Sequence, residues 1–228
     1  MIAPHTLAAM IDQTWLKPGA NVTEALEWID DSAGAGFAAL CVPPFLTART
    51  AQRLKGLSTR TCTVCGFPFG FEDTADKEAQ ARHLVELGAQ EVDMVMNIAA
   101  MIDGDYDYVR KDLEAVATAV AEASHSTAIL KVILETGYLN SEQITRASEI
   151  AVLAGAHFIK TSTGFGPRGA NVADIETIRA VVGTEVGIKA SGGIRDLASV
   201  LELLDAGATR IGTSAGIEII RAAQTHWS

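Results

Sequence analysis

Two stretches late in the chain decide how the rest is read: Phe158-Ile159-Lys160-Thr161-Ser162-Thr163-Gly164 and Val186-Gly187-Ile188-Lys189-Ala190-Ser191-Gly192-Gly193-Ile194-Arg195. Each is a short apolar run that carries a lysine and opens into a loop of small residues. Between them, Val172–Val182 has helical periodicity, so the pair reads as strand, helix, strand. The same alternation extends over the whole chain. Candidate strands are Ala9–Asp12, Ala38–Val42, Arg60–Cys65, Glu91–Met96, Ala128–Glu135, His157–Thr161, Val186–Ala190 and Thr209–Gly212. Helical patterns fill the intervals at Thr23–Ala35, Thr47–Lys55, Thr74–Leu87, Tyr106–Ala123, Ser141–Ala154 and Leu197–Asp205, and Gly216–Gln224 follows the last strand. Several helices end at a glycine just before the next strand, among them Gly88, Gly155, Gly183 and Gly207, the stop signal expected there.

Eight strand–helix units in 228 residues predict a (β/α)8 TIM barrel, an α/β fold, as one domain over residues 1–228. The competing architecture, a doubly wound open sheet, usually places a glycine-rich turn after its first strand. Asp12-Gln13-Thr14-Trp15 is not one.

The bulk properties exclude several classes of function. A net charge of −10 with no basic run argues against nucleic acid and anionic membranes as partners. No apolar stretch approaches a membrane span, and Met1–Asp12 lacks the basic flank and apolar centre of a cleaved signal. Three cysteines, Cys41, Cys62 and Cys65, do not make a disulfide framework and fit a reducing compartment, so a soluble cytoplasmic protein is expected. Cys62-Thr63-Val64-Cys65 has C-x-x-C spacing but lies within a strand-like run, where inert buried thiols are the expectation. The five histidines are scattered, which argues against a histidine-built metal site.

Lysine is a poor strand former and costly to bury, so Lys160 and Lys189 call for a reason. Amine chemistry supplies one, because a neighbouring cation can hold an amine in its neutral, nucleophilic form. Barrel enzymes carry their catalytic groups near the C-terminal ends of strands. Asp12, Cys41, Asp93, Lys131 with Glu135, Lys160 and Lys189 are assigned to that region. Singly, each has a bland explanation: a strand-end aspartate as a cap or turn former, and Lys131 as the partner of Glu135 or Asp93. Their convergence on one mouth is the stronger expectation. Ser191-Gly192-Gly193-Ile194 and Gly212-Thr213-Ser214-Ala215-Gly216 can present backbone N–H groups to an anion, with Arg195 beside the first. Phosphate sites in this fold are often built from these two loops, although any one glycine could simply permit a tight turn.

These segments, with Glu91-Val92-Asp93-Met94-Val95, Leu130-Lys131-Val132-Ile133-Leu134-Glu135-Thr136, Cys41-Val42-Pro43 and Gly66-Phe67-Pro68, resemble the deoxyribose-phosphate aldolase family in order from about Asp12 to Ser214. The resemblance implies a class I aldolase without metal or cofactor. Such an enzyme reversibly cleaves a small phosphorylated sugar, 2-deoxy-D-ribose 5-phosphate, into D-glyceraldehyde 3-phosphate and acetaldehyde. It makes Lys160 the Schiff-base nucleophile, Lys189 the lysine that perturbs it and Asp93 the acid/base partner. Lys131, Asp12 and Cys41 match further active-site positions, and Thr163, Gly164, Gly192, Gly193, Arg195, Gly212 and Ser214 fall in the substrate and phosphate loops. Phe165 stands where some members carry a lysine, and Ala215 where some carry a second serine, with Arg168 and Arg195 as compensating cations. Some members end in a tail with a terminal tyrosine implicated in proton transfer; this sequence reads His226-Trp227-Ser228 there, so that contribution is expected to be absent or replaced. Assembly into a homo-oligomer is left open. Another Schiff-base aldolase, and a non-catalytic barrel whose lysines only neutralise phosphate, are the competing readings.

The chemistry needs an electron sink. Breaking a carbon–carbon bond beside a β-hydroxyl leaves a carbanion, which a protonated imine converts into a neutral enamine. An ordinary lysine is neutral in only about one molecule in several thousand at pH 7, and bringing an amine to neutrality there takes roughly 4–5 kcal/mol.

Overall fold

The computed structural model describes residues 2–19 and 21–226. A short helix α1 (Pro4–Ala8) leads into β1 (Ile11–Thr14), followed by α2 (Val22–Ala33), β2 (Ala39–Val42), α3 (Thr47–Arg53), β3 (Arg60–Cys65), α4 (Thr74–Glu86) and β4 (Glu91–Val95). Then come α5 (Ile98–Asp103), α6 (Tyr106–Ser124), β5 (Ile129–Ile133), α7 (Ser141–Leu153), β6 (Phe158–Lys160), α8 (Val172–Val182), β7 (Gly187–Ser191), α9 (Leu197–Asp205), β8 (Arg210–Thr213) and α10 (Gly216–His226). The strands pair in chain order, all parallel, and β8 closes on β1, giving the (β/α)8 barrel.

Helix starts are set by short polar side chains. Asn21, Asp73, Asn97, Asp105, Asn140, Asn171 and Asp196 each accept a hydrogen bond from a backbone N–H in the first helical turn, and Asn140 with Gln143 completes a capping box. At the other end, Gly88, Gly155, Gly183 and Gly207 all take positive φ, as the sequence suggested.

The first strand is shifted from its expected position. Ala9 and Met10 close α1, so the strand starts at Ile11 rather than Ala9. Proline at the first helical turn nucleates this helix, and periodicity alone could not divide the apolar run Leu7–Ile11 between helix and strand. Helix α5 was also missed, although Asn97 caps it and Gly104 at φ +83° ends it. Residue Glu135 lies beyond β5, in the left-handed region at φ +53°.

The strands are buried on both faces. Their outward residues pack with the helices in one large apolar core. The barrel interior is divided. Ala39, Cys41, Cys62 and Val64 form an apolar part with Leu16 and Phe67, and Val95, Ile98 and Ile133 pack against the same Phe67. Buried charge occupies the rest.

Candidate active site

Side chains two apart on a strand share a face, so register decides which residues meet inside the barrel. Asp93 of β4 is opposite Lys131 of β5, and Lys160 of β6 is opposite Lys189 of β7. Asp12 of β1 is opposite Gly212 of β8. Gly212 is a glycine for want of space: a Cβ there would lie 2.9 Å from Cε of Lys189.

The charged groups converge on Asp93. Lys160 and Lys189 each donate to its Oδ2 from 2.8 Å, and Lys131 donates to its Oδ1 from 2.7 Å. Lys189 also donates to Asp12. Below these, Lys131 pairs with Glu91 at 2.6 Å, and Arg210 reaches Asp12 at 2.5 Å and Glu91 at 3.1 Å. The Arg210 guanidinium lies over the Phe158 ring, 5.1 Å from its centroid. Burial alone would raise the Asp12 carboxyl, but Lys131, Lys189 and Arg210 outweigh it and hold that group well below the usual carboxylate range. Asp93 is held down in the same way by Lys131, Lys160 and Lys189. Burial would push Lys131 and Lys189 down, yet Asp12 and Asp93 keep both above the ordinary lysine value. Lys189 is therefore a standing ammonium beside Lys160.

Asp12, Asp93, Lys131 and Lys189 lie within the barrel rather than at the strand ends assigned from the sequence, and all four are fully buried. Lys160, the last residue of β6, reaches the mouth. It lines a cavity of about 270 Å³ with Thr163, Gly164, Gly192, Gly193, Arg195, Gly212 and Ser214, so all the loop residues expected there are brought together. Gly193 has φ +77°, and a Cβ on it would meet nothing within 4 Å. The seventh and eighth loops are tied by the Thr213 hydroxyl, which donates to the Ile194 carbonyl at 2.7 Å and accepts from the Ala215 N–H at 2.9 Å.

Three expectations need correction. Cys41 does not line this cavity; it is buried in the apolar part of the interior beside its register partner Cys62. Glu135 does not pair with Lys131. Its carboxylate accepts from the Thr163 N–H at 3.0 Å and from the Thr163 hydroxyl, fixing the loop that follows Lys160. Arg168 is no phosphate cation, because its guanidinium is bound to Asp174 and to the Thr136 carbonyl at 2.9 Å. The cavity gains a cation the sequence reading overlooked: Lys17 of the first loop, whose ammonium lies 5.1 Å from the Trp15 ring centroid. Phe165 also lines the cavity and meets Phe67 edge-on at 5.6 Å. Arg210 and Glu91 were not anticipated as site residues. The terminal pair Trp227-Ser228 lies outside the described residues.

A lysine at the mouth of a (β/α)8 barrel, above a buried lattice of carboxylates and ammoniums, stands where enzymes of this fold carry their catalytic groups. Comparison with known proteins agrees. Residues 6–223 match the family described as DeoC/LacD family aldolase, and the chain belongs to that family. It is similar to the deoxyribose-phosphate aldolase of Caldanaerobacter subterraneus subsp. tengcongensis, with 45% identity over 214 residues, 94% of this chain and 92% of that protein. Among solved structures, the aldolase QR15 superposes with a TM-score of 0.89 at 38% identity, covering 96% of each chain. A deoxyribose phosphate aldolase from Aeropyrum pernix, described as tetrameric, gives 0.90 at 26% identity over 98% of this chain and 93% of that one. The chain is thus an aldolase, a lyase. Among the described residues, no helix is long and apolar enough to cross a membrane.

Proposed function

We propose that this aldolase reversibly cleaves 2-deoxy-D-ribose 5-phosphate to D-glyceraldehyde 3-phosphate and acetaldehyde through a Schiff base on Lys160. The observation that carries the reading is the placement of Lys160. Among the described residues, it alone of the interior lysines lines the cavity, and its only carboxylate contact is an oxygen it shares with Lys189.

In this mechanism the neutral amine of Lys160 adds to the substrate aldehyde, and loss of water gives the protonated imine. Removing the proton of the C3 hydroxyl breaks the C2–C3 bond. The bonding pair flows into the imine, D-glyceraldehyde 3-phosphate leaves, and an enamine remains. Protonation of the enamine and attack by water release acetaldehyde and restore the amine. Asp93 is the proposed acid/base partner. Held ionised by the Lys131 and Lys189 ammoniums, it takes a proton only transiently and passes it on through water. Gly192, Gly193, Gly212, Ser214 and Arg195 hold the phosphate end, with Lys17 as a further cation. That remote binding orients the bond to be broken.

The family relationship and the tetrameric Aeropyrum pernix relative support a homo-oligomeric assembly as part of this proposal. The direct test is release of acetaldehyde from 2-deoxy-D-ribose 5-phosphate by the purified protein, abolished in Lys160→Met. Full turnover by that variant would refute the assignment.

A further inference from the structure

The buried network is unbalanced in charge. Among the described residues, three carboxylates (Asp12, Glu91 and Asp93) face four bases (Lys131, Lys160, Lys189 and Arg210) within one continuous set of contacts. The lysines and carboxylates are essentially buried, and the Arg210 side chain is 12% exposed. With every group ionised the interior holds one excess positive charge, which a water-poor site disfavours. The proton most easily lost is the one with the weakest anionic support. Lys131 meets three carboxylates, and Lys189 and Arg210 meet two each. Lys160 meets one oxygen, already engaged by Lys189.

We propose that Arg210 and Glu91, at the base of the barrel, are positioning residues that set the proton count of this network and so keep Lys160 a neutral amine. Neither residue contacts Lys160. Arg210 acts through Asp12 and Lys189, whereas Glu91 acts through Lys131 and Asp93. Without the guanidinium, three carboxylates would balance three lysines and Lys160 would keep its proton. Without the Glu91 charge, the positive excess would double and Lys160 would lose its proton more readily. The other titratable side chains facing the network are the Cys41 and Cys62 thiols and Arg60. Arg60 lies 3.5 Å from Glu91, with a side chain 45% exposed and therefore screened by water. This inference rests on the reading of Lys160 as the imine-forming amine.

The test follows the rate of cyanoborohydride trapping of acetaldehyde between pH 5 and 10, with the adduct located by peptide mass. In Arg210→Met the acidic limb should move up by about one pH unit, a roughly tenfold loss below the limb that is recovered at alkaline pH. Arg210→Lys should restore the limb. In Glu91→Gln it should move down by a similar amount, and both shifts should persist in a Cys41→Ser background. A purely structural role would lower the plateau and leave the limbs in place. Unmoved limbs, or limbs displaced in the same direction, would overturn the proposal. Should Glu91→Gln fail to fold, the two Arg210 variants decide the matter alone. An adduct on another lysine would defeat the Schiff-base assignment itself, whereas an adduct on Lys160 with fixed limbs would defeat only the proton-count role.

Discussion

Lys160 and Lys189 donate to the same carboxylate oxygen, Oδ2 of Asp93, each from 2.8 Å. One acceptor cannot fully compensate two ammoniums, and among the described residues Lys189 has a second carboxylate in Asp12 while Lys160 has none. The asymmetry separates two lysines that look alike in sequence. Lys189 is held charged inside the barrel, and Lys160 at the mouth is the amine we propose for the chemistry.

Replacing Lys189 with leucine keeps most of the stem volume and removes the standing charge. Lys160 then has Asp93 Oδ2 to itself, a contact that favours its charged, unreactive form. Turnover at pH 7 should fall about a hundredfold or more, with partial recovery at alkaline pH, where an ordinary lysine begins to lose its proton. A pH–rate profile with an unchanged acidic limb would remove Lys189 from this role.

Gly193 offers the cleanest test of the phosphate loops. Its φ of +77° strains any side chain, and the space beyond its Cα is open. Gly193→Ala should raise KM about tenfold or more for 2-deoxy-D-ribose 5-phosphate and change activity on unphosphorylated deoxyribose much less. Equal losses on both substrates would mean that the loop shapes the barrel rather than reads the anion.

The same network governs acid stability. Asp12 and Asp93 are depressed in the folded protein, so their stabilising contribution is complete above the ordinary carboxylate value. It is lost as pH falls from about 4 through their lower folded values. Lys131 and Lys189 are raised, so their contribution is complete below about pH 10 and is lost above it. These four groups should therefore leave urea midpoints unchanged between these limits and make them fall steeply in acid. Asp93→Asn should lose about 3–5 kcal/mol at pH 7, because it leaves ammoniums buried without their partner, and its acid slope should be shallower. Parallel slopes for the two proteins would contradict the assignment.

The way the donors are used leads us to expect turnover without a metal. Cys41, Cys62 and Asp93, and likewise Asp12, Cys62 and Glu91, place ligand atoms within 4.8 Å of one another, but every carboxylate in these groups is already paired with a buried ammonium or guanidinium. A divalent cation would have to displace those charges. Prolonged EDTA treatment should leave turnover unchanged, and a loss restored by zinc would favour a metal-stabilised enolate instead.

Much of this was legible in the sequence because the informative signals are local. Lys160 and Lys189 are conspicuous behind β-branched and apolar neighbours, and the Gly192-Gly193 and Gly212 loops directly follow recognisable strands. Arg210 and Glu91 open their strands, where a charged residue reads as an ordinary solvated boundary. Strand parity held the clue, since Glu91 lies two before Asp93 and Arg210 two before Gly212, on the same inward face. The roles of Arg168 and Glu135 were not legible. Their partners Asp174 and Thr163 are fixed by how the sixth loop folds back over the barrel, and no spacing rule encodes that path.

The central claim is that Lys160 forms the covalent imine, and borohydride reduction in the presence of acetaldehyde tests it most directly. Peptide mapping should place a two-carbon adduct on the peptide containing Lys160, with none on those containing Lys131 or Lys189. An adduct confined to Lys189 or Lys131, or an active enzyme that cannot be trapped at all, would contradict the account.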